Sequence, residues 1–216
     1  MRLTDSPTLL GEVMNQNKLD YLIEEYPEKI FRYYPIQKRY YKSGDSKCIY
    51  PQWGKKNCIR KAGGNFPAMV ARYHFEKAGY KVVDDYCLIR KPNQRSENSG
   101  YNLLCKIFSP TTVHEVICLS EALLCTKDVR RGGDPDLFVY KPDFSDCFFV
   151  EAKEPPDKLR ISQKIVMYFI RNLMCPVYIA KIVKDSKAAS EATSKHNVVL
   201  SNKLKSEPLS ARERRP

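Results

Sequence analysis

Four polar residues in the stretch RGGDPDLFVYKPDFSDCFFVEAKEPPDKLRISQ, Arg131 to Gln163, have types and spacings that suit phosphate chemistry. Asp136 follows a glycine pair, Glu151 and Lys153 stand two apart, and Gln163 sits in an apolar run. Residues two apart in a strand share a face, so Glu151 and Lys153 set a carboxylate beside an ammonium. Phe148, Val150 and Ala152 then face the other way and can pack on a helix. Asp136 opens the preceding strand, and pairing of the two strands as a hairpin brings it to the Glu151 end. Two neighbouring carboxylates suit a hard cation with oxygen ligands. Such a cation lowers the pKa of a bound water and offsets charge on a phosphate, and a nearby lysine orients the water or stabilises that charge. The plain alternative is an exposed hairpin with a Glu151–Lys153 salt bridge. It leaves Gln163 unexplained, because Leu159, Gln163, Val166, Ile170 and Leu173 form one helical stripe, and a sheet-facing amide needs hydrogen-bond partners.

The elements that must position these residues follow from periodicity. DLFVY and CFFVEAK read as strands, with Pro142 and Asp143 in the turn between them. A helix follows EPPD, with Asp157 as its expected N-cap, and runs to about Asn172. PVYIAKIV is the last strand. Upstream, FPAMVARYHFEK reads as a helix closed by Gly79, YKVVDDYCLI as a strand or hairpin, and YNLLCKIF and TVHEVICLSEALLCTKDV as two further helices. PTLLGEVMNQNKLDYLIEE, residues 7–25, is expected to be helical. From Arg32 to Lys61 there are nine basic residues against one acid, with Tyr33, Tyr34, Tyr40, Tyr41, Tyr50 and Trp53 interleaved. Cations can hold phosphates there while aromatic faces stack on bases, or the tyrosines can pack an irregular extension onto the domain.

DPDLFVY, FFVEAK and DKLRISQ together resemble the PD-(D/E)XK nuclease superfamily, and more narrowly its virus-type replication-repair nuclease (VRR-NUC) domains. The resemblance is specific from Arg131 to about Val183, weaker over Phe66–Ile89, and does not cover the first 60 residues or the tail. It implies an α/β fold with a PD-(D/E)XK (restriction-endonuclease-like) core: a mixed central β-sheet flanked by helices. It implies that Asp136, Glu151 and the Ala152 backbone carbonyl hold Mg²⁺ or Mn²⁺. Lys153 is then the catalytic lysine and Gln163 the helix residue that completes the site, with Glu76 as the family's first-helix acid. The family often has Val where Ala152 stands. The expected organisation is an N-terminal helix and basic-aromatic extension over 1–62, a nuclease-like core over 63–184 with a helical insertion at about 100–130, and a basic, disordered tail over 185–216. The expected activity is metal-dependent DNA endonuclease cleavage in repair, recombination or replication, on branched DNA among other substrates. The alternative is a non-catalytic nucleic-acid-binding module or regulatory subunit that retains the fold. The resemblance also suggests a homodimer and partner proteins in repair, replication or defence.

Composition agrees with this expectation. The 216-residue chain has net charge +12 and 43% hydrophobic residues, ordinary for a globular protein but strongly basic. Basic chains favour polyanions, because neutralising phosphates releases counterions. The side chains expected to meet phosphates are Lys55, Lys56, Arg60, Lys61, Arg130, Arg131, Lys158 and Arg160. No run of 18 apolar residues occurs, so no membrane span is expected. The first twenty residues lack a secretory h-region, so a cytoplasmic location is expected, nucleoid-associated or nuclear by cell type. The eight cysteines form no CxxC pair and read as reduced small hydrophobes. HEVIC at His114–Cys118 begins like a zinc-protease motif but lacks the second histidine.

Overall fold

In a computed structural model the chain is described over residues 26–51, 66–89, 93, 95–126, 129 and 132–185. The helix expected at 7–25 and the tail beyond 185 lie outside these residues. Five strands form one mixed sheet: β1 (Glu28–Tyr33), β2 (Lys81–Val83), β3 (Leu137–Tyr140), β4 (Cys147–Lys153) and β5 (Val177–Lys184). Their order is β1-β5-β4-β3-β2. The pairs β1–β5 and β5–β4 are parallel, and β4–β3 and β3–β2 antiparallel. The five helices are α1 (Pro35–Ser43), α2 (Phe66–Lys77), α3 (Ser99–Phe108), α4 (Pro110–Thr126) and α5 (Ile161–Leu173). The protein is thus α/β, an open mixed sheet flanked by helices.

Both faces of the central strands are buried, which explains why β3 and β4 read as nearly continuous apolar runs. On one face, Phe66, Met69, Val70 and Phe75 of α2 pack on Leu137, Val139, Phe148, Val150 and Ala152. On the other, α3, α4 and α5 bring Leu104, Ile117, Leu124, Val166 and Ile170 against Phe138, Phe149 and Val177. The two helices expected as an insertion at about 100–130 therefore cover half the core. Among the described residues no helix is long and apolar enough to cross a membrane. Every described cysteine is free.

The boundary expected at residue 63 does not divide the fold. Glu28–Tyr33 joins the sheet as β1, in register from Glu28↔Ile179 to Tyr33↔Lys184. Its Phe31 ring stacks on His74 at 5.0 Å, and Lys29 Nζ lies 4.4 Å from the Tyr178 ring centre. Tyr33, Tyr41 and Tyr50 are buried around Phe66, so these aromatics pack the domain; Tyr34 stays half exposed. Trp53, Lys55, Lys56, Arg60 and Lys61 lie outside the described residues.

Two further expectations are corrected. Only Lys81–Val83 of YKVVDDYCLI is strand. Tyr86, Leu88 and Ile89 are buried off the sheet, because Tyr86 donates to the Pro135 carbonyl and the Ile89 amide to Asp134 Oδ1. Asp157 is not the N-cap of α5. It lies exposed in a turn, and the helix begins after Arg160, whose backbone N–H donates to Gln163 Oε1 at 3.1 Å. Gln at the third helical position supplies the reciprocal half of a capping box and sets the start there.

Candidate active site

The β3–β4 register, Leu137↔Val150, puts Asp136 next to Glu151 across the hairpin. Asp136 Oδ2 accepts the Ala152 amide at 3.0 Å. A strand residue's N–H and C=O leave on the same side, so the Ala152 carbonyl also opens towards Asp136. Glu151 and Lys153 share the face that meets α5. Lys153 Nζ lies 2.8 Å from Glu151 Oε1 and 3.2 Å from Gln163 Oε1. Gln163 Nε2 donates to Glu151 Oε1. The amide thus uses its oxygen on Arg160 and Lys153 and its nitrogen on Glu151, which is how a 2% exposed glutamine is satisfied. Asp136, Glu151, Lys153 and Gln163 form one connected cluster.

Glu151 is 1% exposed, and its second oxygen, Oε2, has no hydrogen-bond partner. Burial, and then the negative charge of Asp136, push its pKa up to about 8; Lys153 and Arg160 offset only part of this. A buried acceptor with nothing to accept from, beside a second carboxylate, fits a divalent cation. Among the described residues no group of three or more His, Cys, Asp and Glu side chains could hold a metal. A cation here would have Asp136, Glu151 and the Ala152 carbonyl as protein ligands, leaving positions for water and phosphate oxygen, as Mg²⁺ prefers.

Other expected residues are placed differently. Glu76 does not join the cluster: on α2 it is paired with Arg72 at 2.8 Å, its side chain 39% exposed. An i,i+4 pair on a solvated helix face accounts for it. Lys158 and Arg160 are exposed just before α5. Arg130 and Arg131 lie outside the described residues. His114 and Cys118 meet each other at 3.3 Å on the exposed face of α4, with no third ligand among the described residues.

Two residues of the GGDPD lead matter in ways their types did not announce. Asp134 is 7% exposed and ties the segment before β3 to Ile89 at 2.8 Å. Asp134→Ala leaves that buried amide without this acceptor and should cost about 1–3 kcal/mol in urea unfolding, with faster hydrogen exchange at Ile89. Gly133 lies directly under the first turn of α5: a Cβ there would stand 2.3 Å from the Ser162 carbonyl oxygen. The glycine pair before the acid was the available signal for both. No protein-family model matches the chain, and no curated protein matches it.

Proposed function

We propose that this chain is a metal-dependent deoxyribonuclease of the PD-(D/E)XK type, related to the virus-type replication-repair nuclease domains. The observation that carries the reading is the bare Oε2 of buried Glu151 beside Asp136, with Lys153 and Gln163 gathered on Oε1. A hairpin salt bridge has no use for a buried, unsatisfied carboxylate oxygen, whereas a cation site needs one. The α2–β2 and β3–β4–α5–β5 elements support the reading, since they fall where the resemblance expects a first helix and strand and then the motif-bearing core.

When bound, Mg²⁺ or Mn²⁺ would acidify a water and draw charge from the scissile phosphate. The chain's own residues do the rest. Asp136 and Glu151 hold the site at the strand ends, and the Asp136–Ala152 bond fixes the strand carrying Glu151. Gln163 holds Lys153 and Glu151 at fixed separation. The Lys153 ammonium is then aimed where a water attacks or charge builds on the phosphate. Lys158 and Arg160 draw the DNA backbone to the start of α5, and an assembled homodimer would present two such surfaces. A panel of single-stranded, duplex, flap and junction DNA with Mg²⁺ and Mn²⁺ tests the activity. Silence across the panel would return the chain to the alternative, a binding module on the same fold.

Glu151 also sets a pH dependence. Its native pKa of about 8 exceeds the ordinary 4.5, so between these values the folded protein holds a proton that the unfolded chain releases. The stability that Glu151 contributes to the metal-free protein is therefore fully present below about 4.5 and is lost as pH rises towards 8. A cation must displace that proton, so apparent Mg²⁺ affinity should rise with pH up to about 8 and then level off. Calorimetric Mg²⁺ titrations across this range check it; Glu151→Gln should show neither the proton release nor the metal heat. Affinity flat across roughly pH 6 to 8 would contradict it.

A further inference from the structure

Beside the cluster lies a cleft of about 870 Å³ that the four motif residues do not explain. Four lysines line it, Lys153, Lys158, Lys164 and Lys181, against two acids, Glu28 and Asp157. Its walls come from the start of β1, from β5, from the turn after β4 and from the first turns of α5. Lys153 belongs to both the cleft and the carboxylate cluster, so the two are continuous. The far wall is held in place: the Tyr26 hydroxyl donates to the Lys164 carbonyl at 3.5 Å, which ties the approach to β1 onto α5.

We infer that this cleft holds the nucleotide flanking the scissile phosphate, with Lys164 and Lys181 on its phosphate and Glu28 holding the affinity down. The identity of the anion rests on the nuclease reading above. Gathering like charges in a concave wall raises the free energy unless an anion fills it. The Lys158 and Lys164 ammonium groups have no carboxylate partner among the described residues. Lys153 is committed to Glu151 and Gln163, so it cannot take the flanking phosphate itself. Lys181 is paired with Glu28 at 2.7 Å, but both side chains are nearly half exposed, at 42% and 47%. Pairs this exposed contribute little and exchange readily for a phosphate. Leu159, Ile179 and Pro155 add an apolar wall. A bare inorganic anion would leave that wall in water, whereas the sugar and base of a nucleotide cover it. β1 serves this cleft, since without that strand it has no outer wall and Lys181 no regulating carboxylate.

The test is fluorescence anisotropy of the full chain with a short fluorescein-labelled single-stranded oligodeoxynucleotide, in EDTA, over a salt series. Lys164→Ala and Lys181→Ala should each weaken binding about fivefold and reduce the salt slope by about 0.7–1. Glu28→Gln should tighten binding, by roughly two- to fivefold, because it frees Lys181. With cleavable DNA and Mg²⁺, Lys164→Ala should raise KM and leave kcat nearly unchanged. Unchanged affinity and slope in both lysine variants would overturn the inference. So would a Glu28→Gln variant that weakens binding as Lys181→Ala does, which would make the pair structural. Because binding is read without metal, the two ideas separate. Lysine-dependent binding without cleavage on any substrate sinks the nuclease and keeps the cleft; cleavage with lysine-independent binding does the reverse.

Discussion

Asp136→Ala and Lys153→Ala are each expected to lower Mg²⁺-dependent DNA cleavage by at least about a hundred- to a thousandfold, the usual loss when one preorganised charge or donor is removed. The two should fail for different reasons. Asp136→Ala removes a proposed carboxylate ligand and the acceptor of the Ala152 amide, so Mg²⁺ binding should disappear with activity. Lys153→Ala removes a positive charge 2.8 Å from Glu151, so Mg²⁺ affinity should hold or rise while cleavage is lost. On the proposed function DNA binding should stay within a fewfold of wild type in both, because other lysines and arginines would meet the phosphates. Calorimetry with Mg²⁺ and anisotropy with DNA separate these outcomes. Undiminished cutting by both variants would remove the mechanism.

Gly133→Ala should be strongly damaging although it adds only a methyl group. The new Cβ would lie 2.3 Å from the Ser162 carbonyl oxygen, 2.6 Å from its carbon and 3.0 Å from the Gln163 nitrogen. None of these is a flexible side-chain end; all belong to the backbone of the first turn of α5. The backbone at Gly133 also has φ +117°, a conformation that side chains disfavour. The combined cost is about 3 kcal/mol, a fall in Tm of roughly 6–12 °C for a domain of this size. Relief of the clash requires α5 to retreat, and Gln163 goes with it. Cleavage should therefore be lost at temperatures where circular dichroism still shows a folded protein. Gly132→Ala is the control: φ is +132° there, but nothing lies within 4 Å of an added Cβ, so the loss should be smaller. Equal Tm for Gly133→Ala and wild type would show that the helix start is not held by this contact.

The sequence by itself determined what depends on short-range periodicity. Glu151 and Lys153 share a face because strands repeat every two residues, and Asp136 reaches Glu151 because a short turn closes the hairpin. Gln163 points at them because it is in phase with Leu159, Val166 and Ile170. Helices α2, α3 and α4 were legible from their apolar spacing. The start of α5 was not: Asp157 has the better cap chemistry, but Gln163 bonds the Arg160 amide and places the N-cap three residues later than the sequence suggested. β1 was hidden because its partner β5 lies some 150 residues away, with Glu28 opposite Ile179. Glu76 belongs to the same class of error, since an acid in the right helix still needs the right end and face. What only the tertiary structure decided is burial. Packing of α5 across Gly133 buries Glu151, leaves its Oε2 without a hydrogen-bond partner and pushes the carboxyl up to about 8. Burial is a sum over distant elements, and residue spacing along the chain does not encode that sum.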